Sequence, residues 1–322
     1  MFKKTVFVAS TLLASSLSSV NAAQWHMPTP YGDANHPTKI AYQFAEEVKT
    51  ATNGDLDIVV HSGASLVKHP EIPRAVRTGQ VQMGEIFIGI MGNTHPIFKH
   101  DNIPFLATTY DDAEALWQAA KPEMEKQLKK EGMTLLYAVA WPAQSLYTKK
   151  PVASLADLAG SRMRAYSPST SRLADLMGST PTTIQVPDIP QAFSTGIIDA
   201  MVTSPSTGAN GQAWDYVNHY TNIQAWIPKN MVVVNTRSFK RLDKDAQQAL
   251  LTAAANAEEK GWQIVREQAK KDTQTLIDNG ITVVEPSDTL VKELSAIGAQ
   301  MKQEWIDESG AEVKAVLTNY GK

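Results

Sequence analysis

The sequence predicts a two-lobed α/β fold with a hinge, carrying a long C-terminal helix that spans both lobes. Three observations predict it. Helical and strand-like stretches alternate through the first 240 residues, as they do where strands pair in sheets covered by helices. The stretch from Asp243 to Asp278 has no proline and a single glycine, Gly261, so one helix there is roughly 50 Å long, more than one small domain is wide. No repeat, low-complexity tract or Pro/Gly-rich tether divides the chain, so two lobes are joined by several short crossings, an arrangement that permits hinge motion about a cleft.

Taken in order, Ile40, Ala41, Phe44, Ala45, Val48 and Ala51 follow helical spacing after Pro37, and Asn53-Gly54 ends that helix. Residues 56–60 then read as a strand. A short helix over 71–78 stops at Gly79, and the apolar run 81–90 is strand-like. Residues 110–120 and 122–131 read as helices, Gly132 as their break, and 133–141 as another strand. In the middle, 155–158 is a helical turn, 161–166 a strand and 169–177 a helix closed by Gly178. Residues 190–195 are helical, and 197–202 and 226–236 are strand candidates. Asp243 caps the long helix, which is expected to bend near Gly261. Residues 281–284 form a last strand, and Ser287 caps a helix to about Glu308. The alternation predicts largely parallel pairing. Residues 23–146 with about 235–275 are expected in the first lobe, and 147–234 with about 276–322 in the second.

The N-terminus has the three parts of a secretory signal peptide over residues 1–22. Lys3 and Lys4 precede an apolar run from Thr5 to Ala14, and small side chains at Val20 and Ala22 suit a cleavage point. Cleavage leaves 28 basic against 33 acidic residues, a charge of −5. No later run approaches the roughly 18 apolar residues of a membrane span, so no stable membrane insertion is expected. The formal charge of −3 gives no reason to expect nucleic acid as a partner. The absence of cysteine excludes disulfides, a thiolate nucleophile and a lipid anchor on a mature N-terminal cysteine.

Motifs for catalysis are missing. There is no G-x-S-x-G elbow, phosphate-cradling loop, dinucleotide fingerprint or H-E-x-x-H. None of the seven histidines pairs with another at three- or four-residue spacing on an expected helix, so neither a metal nor another cofactor is expected. The chain does not read as an enzyme.

Four segments in order resemble the solute-binding proteins of tripartite ATP-independent periplasmic (TRAP) transporters, the DctP-like family. The most specific is Lys150-Pro-Val-Ala-Ser-Leu-Ala-Asp-Leu-Ala-Gly-Ser-Arg-Met-Arg-Ala165, similar to the family's P-I-x-x-x-x-D-L-K-G-x-K-I-R. Gln191-Ala-Phe-Ser-Thr-Gly-Ile-Ile-Asp-Ala200 resembles A-L-Q-T-G-x-V-D-G, and Ala75-Val-Arg-Thr-Gly-Gln-Val-Gln-Met-Gly84 resembles A-L-Q-x-G-x-I-D-M-A. Ile103-Pro-Phe-Leu106 matches L-P-F-L. The resemblance covers essentially the whole mature chain. It implies a periplasmic-binding-protein-like fold that closes on a small organic acid, possibly one with an amine, and delivers it to TRAP permease membrane subunits. A binding protein of an ABC importer or a sensor would show the same chemistry, and a periplasmic hydrolase or lyase with dispersed groups is the rival of another class.

The resemblance assigns Arg164 to the solute's carboxylate, since a guanidinium fork matches that group in two hydrogen bonds. A surface ion pair is the bland alternative, and Arg162 is a second anchor or a decoy. Where the family has a supporting asparagine, this chain has Thr203 or Ser204, in Val202-Thr-Ser-Pro205. Tyr31 is placed beside the cleft. Trp141, Tyr147 and Trp226 flank the crossings between lobes and read equally as pocket wall or as hinge core. Glu85, in an otherwise apolar strand, needs a partner if buried: a ligand amine, an arginine such as Arg164, or else solvent.

Overall fold

The computed structural model describes residues 23–321, so the signal-peptide expectation for residues 1–22 lies outside the described residues. The chain begins with β1 (Ala23–Pro28), α1 (His36–Ala51) and β2 (Leu56–His61), followed by α2 (Ile72–Thr78) and β3 (Met83–Phe87). Next comes α3 (Tyr110–Lys130), one continuous helix where the sequence predicts two. Pro122 sits inside it, tolerated because the carbonyl four residues back belongs to exposed Gln118 and can bond water. β4 (Met133–Ala140) completes this half.

The chain then crosses through β5 (Ser145–Thr148) into β6 (Arg162–Ala165), α4 (Pro168–Leu176), β7 (Thr180–Thr183), α5 (Ile189–Ser194), β8 (Ala200–Thr203), α6 (Pro205–Asn210) and β9 (His219–Thr221). It returns through β10 (Lys229–Asn235) and α7 (Thr236–Arg241) to α8 (Lys244–Asp278), β11 (Thr282–Val284), α9 (Asp288–Ser309) and α10 (Ala311–Tyr320). The caps are those expected: the Asp243 side chain accepts from the Ala246 N–H at 2.7 Å and Ser287 from the Leu290 N–H at 3.1 Å.

Three sheets result among the described residues. The parallel pair β1-β2 and the three-stranded β3-β10-β4 belong to the first lobe, and the six-stranded β11-β9-β5-β8-β6-β7 forms the second. Pairing is mixed rather than largely parallel, for a topological reason. The returning strand β10 runs antiparallel to β3 and β4, and the outgoing β5 runs antiparallel to β8 and β9. The three-stranded and the six-stranded sheet each have a core on both faces. Along β10, Met231 and Val233 face one core while Val232 and Val234 face the other, the period-two alternation of a central strand.

The ladders also move lobe boundaries drawn from sequence. Residues 229–234, expected in the second lobe, pair with first-lobe strands. The C-terminal helices are shared: Leu290, Leu294 and Met301 of α9 enter a second-lobe core, but Trp305 and the α10 residues Val313 and Val316 pack with α3 in the first. Sequence periodicity marks a buried face without naming what covers it.

The helix α8 does span both lobes. Its residues Leu250 to Ala257 pack against α1 and β4, and Leu276 enters the second-lobe core. It continues unbroken through Gly261, which lies against Val139; a Cβ there would meet that side chain at 3.3 Å, so glycine serves close packing. No helix among the described residues is long and apolar enough to cross a membrane.

Candidate functional site

Between the lobes lies a cavity with about 380 Å³ of free space. The first lobe lines it with Tyr31, His69, Phe87 and Trp141, and the second with Arg164, Tyr166, Gln185 and Thr203. Arg164 stands at the carboxyl end of β6, where α/β sheets present groups to a crevice. It is 3% exposed, its Nε donates to the Ile184 carbonyl at 2.9 Å, and its guanidinium lies 4.6 Å from the Tyr166 ring centre. Its Nη1 is buried without a partner, and no carboxylate among the described residues pairs with it. Burial pulls its pKa down to about 10, which leaves it charged at neutral pH.

Arg162, two residues earlier, has the opposite surroundings. Its Nε and Nη2 both bond Asp199 at 2.9 Å on the protein surface, a closed bidentate pair.

Among the remaining polar groups, most are already engaged by the protein. The Trp141 Nε1 donates to Asn230 Oδ1 at 2.9 Å, and the Tyr31 hydroxyl reaches the same oxygen at 3.3 Å. Tyr166 donates to Gln144 Oε1 at 3.0 Å, while the Gln144 amide nitrogen donates to the Pro142 carbonyl. The Ser204 hydroxyl caps α6, accepting from the Thr207 N–H at 3.0 Å. Thr203 Oγ1 and Gln185 Nε2 make no bond within the described residues. The cavity therefore offers a solute one cationic fork, one hydroxyl and one amide N–H₂, among aromatic rings.

Five of the eight expected site residues line this cavity: Arg164, Tyr31, Trp141, Thr203 and Ser204. Three stand behind its walls. Glu85, 1% exposed, accepts from Asn230 Nδ2 at 2.7 Å through Oε1, while Oε2 is buried without a partner. Burial pushes its pKa up to about 7. Its protein partner is thus Asn230, neither Arg164 nor solvent. Tyr147 packs under α6, where a Cβ at Gly208 would sit 2.3 Å from its hydroxyl, and it donates to the Ser204 carbonyl. Trp226 is buried in the second-lobe core, its carbonyl bonded by the Gln144 N–H. Sequence reasoning missed His69, Phe87, Tyr166 and Gln185. Of these Tyr166 had a signal, two residues beyond Arg164 on the same strand end.

The description "Bacterial extracellular solute-binding protein, family 7", DctP, fits residues 31–308. The chain belongs to the DctP family. Among solved structures, the Bordetella pertussis extracytoplasmic solute receptor DctP7, which binds pyroglutamic acid, is 49% identical with a TM-score of 0.93, covering 94% of this chain and 100% of that one. DctP6 of the same organism, another pyroglutamic acid receptor, is 39% identical with a TM-score of 0.91, covering 93% and 99%. A marine metagenome TRAP solute-binding protein specific for pyroglutamate is 36% identical with a TM-score of 0.92, again covering 93% and 99%.

This DctP-family chain is thus a TRAP solute-binding protein, a receptor rather than an enzyme, of a family that works outside the cytoplasm. Asp199, the acid of the segment Gln191–Ala200, holds Arg162 at the surface and leaves Arg164 the one guanidinium of β6 that lines the cleft.

Proposed function

We propose that this receptor captures a small monocarboxylate, pyroglutamate in particular, in the periplasm and hands it unchanged to a TRAP permease. The observation that carries the reading is Arg164, buried with an unpartnered Nη1 in a cavity lined by no carboxylate among the described residues. A buried, unpaired cation is costly, so the closed form is complete only with an anion. A second carboxylate on the solute would find no second cation in the lining, and an ammonium group no anion. One negative group on an otherwise neutral ring matches this balance. The lactam of pyroglutamate adds one donor and one acceptor, for which Thr203 and Gln185 are the uncommitted partners, and its ring suits a wall of Trp141, Tyr166 and Phe87. The signal-like residues 1–22 support export.

Titration calorimetry on protein stripped of solute by unfolding and refolding tests this. One-to-one binding of L-pyroglutamate is expected, with no heat from succinate and none from putrescine. Binding of succinate without binding of pyroglutamate overturns it.

A further inference from the structure

The cavity adjoins a second, outer hollow with about 500 Å³ of free space, whose lining includes the exposed Lys68, Pro70, Pro187 and Asp188. Four residues line both spaces: Tyr31, His69, Gln185 and Val186. Two of these are bonded to each other across the lobes. His69, in the short turn before α2, places Nδ1 3.1 Å from Oε1 of Gln185, which follows β7. The roles in this bond are set from behind. The backbone N–H of Phe87 points at His69 Nε2 from 3.2 Å, so that nitrogen must offer its lone pair. The ring proton is then on Nδ1, and Gln185 must accept it with its oxygen. Burial keeps the ring neutral, with its pKa down to about 4. Tyr31 packs edge-on to the imidazole at a centroid distance of 5.9 Å. The partition is therefore locked in one arrangement by a backbone group that cannot turn.

We propose that the His69–Gln185 bridge is the end wall that sets how long a solute this receptor accepts. The inference rests on the Arg164-anchored monocarboxylate reading. A solute whose carboxylate sits on Arg164 extends toward the bridge, and one that continues past it must separate the pair. That leaves the Nδ1–H of a buried histidine without an acceptor at the position where the lobes meet. A compact ring is accepted, whereas an acid with the same amide beside its carboxylate and a longer acyl arm is refused. Removing the Gln185 side chain joins the cavity to the outer hollow and gives the arm somewhere to go.

The test uses L-pyroglutamate and N-hexanoylglycine, which share a carboxylate one carbon from an amide nitrogen and differ in the arm beyond the amide carbonyl. Dissociation constants are measured on the full mature protein for wild type, Gln185→Ala and Asn210→Ala. Asn210 donates to Asn35 Oδ1 at 2.9 Å, also bridging the lobes but outside the cavity lining, so its variant controls for weaker closure alone. Wild type is expected to prefer pyroglutamate by at least about 100-fold, the upper range of what shape alone discriminates, and Gln185→Ala to bind N-hexanoylglycine at least about tenfold more tightly than wild type does, a gain that loss of a lactam contact to Gln185 does not produce. Asn210→Ala should show no such gain. No tighter binding of N-hexanoylglycine by Gln185→Ala, or an equal gain in Asn210→Ala, overturns the end wall while leaving pyroglutamate binding by the wild type intact. If wild type binds neither acid, the solute reading falls first and this one with it. Gln185 lies half-exposed in a loop, and a melting temperature for each variant confirms that it folds.

Discussion

The two walls of the cleft solve different problems. The second lobe brings one uncompensated charge, Arg164, and leaves it short of a partner until a solute arrives. The first lobe brings rings, two of which turn their polar ends inward: Trp141 and Tyr31 both donate to Asn230, and Asn230 is held in turn by Glu85, while His69 bonds Gln185 across the cleft. One wall spends its polarity on the guest and the other on itself. A charged wall supplies affinity for an anion, and a self-satisfied aromatic wall supplies shape at little cost in desolvation. The comparison predicts that changes in the second lobe's cavity wall are read in binding, while changes behind the first lobe's wall are read in stability.

The largest effect expected is at Arg164. Arg164→Ala should weaken pyroglutamate by about 2–5 kcal/mol, roughly 30- to 5,000-fold in dissociation constant, because the solute's carboxylate is left desolvated and unpaired. Arg164→Lys keeps the charge but loses the fork and should fall between the two. Calorimetric titration of the three proteins decides it. Near-normal binding by Arg164→Ala would remove the difference between the walls altogether.

Behind the first lobe's wall, Glu85 should act on stability through its proton. Burial raises its pKa from the usual 4.5 to about 7, so between those values the unfolded chain gives up the proton and the folded chain keeps it. The contribution is fully present below about pH 4.5, fades as the pH rises and is gone above about 7, a span worth on the order of 3 kcal/mol. Buried His36, His69 and His100, each held down to about 4, act with the opposite sign: their contribution is present above pH 6.5 and lost as the pH falls. The difference between wild type and Glu85→Gln isolates the carboxyl. Measured by chemical denaturation without solute, the wild type should lose stability relative to Glu85→Gln from pH 4.5 to 7. A flat difference would show that Glu85 is not the buried acid of this wall.

What the sequence makes legible follows the same division. Arg164 stands at a strand end inside a long specific motif, so its place at the cleft is legible from local sequence. The helix α8 is readable because its length, its Asp243 cap and its freedom from proline are all local. The aromatic wall is not readable in this way. Glu85 and Asn230 are 145 residues apart, and His69 and Gln185 are 116 apart, each pair meeting only after the lobes form and approach. Tyr147 and Trp226 share with Trp141 a position at the crossings, and an aromatic ring there satisfies core and wall equally well. Only the fold shows that Trp141 faces the cavity while the other two stand behind it. Lobe membership of residues 229–234 and of α10 was hidden for a similar reason, since the covering partner of an apolar face is a tertiary fact.

The smallest expected effect is the sharpest control on the comparison. Arg162 and Arg164 occupy one strand two residues apart, and side chains at that spacing leave a regular strand on the same side. They differ in surroundings: Arg162 is exposed at the start of β6 with both oxygens of Asp199 bonded to it, whereas Arg164 is buried with Nη1 unmatched. An exposed, already paired guanidinium gives a solute nothing and is screened by water and salt. Arg162→Ala should therefore leave the dissociation constant for pyroglutamate unchanged, measured under the conditions in which Arg164→Ala loses it. Removing Asp199 instead frees the Arg162 fork without moving it into the cleft, and Asp199→Asn should bind as the wild type does. If either change weakens binding as much as Arg164→Lys, the charge that draws the anion belongs to the strand as a whole rather than to one buried fork.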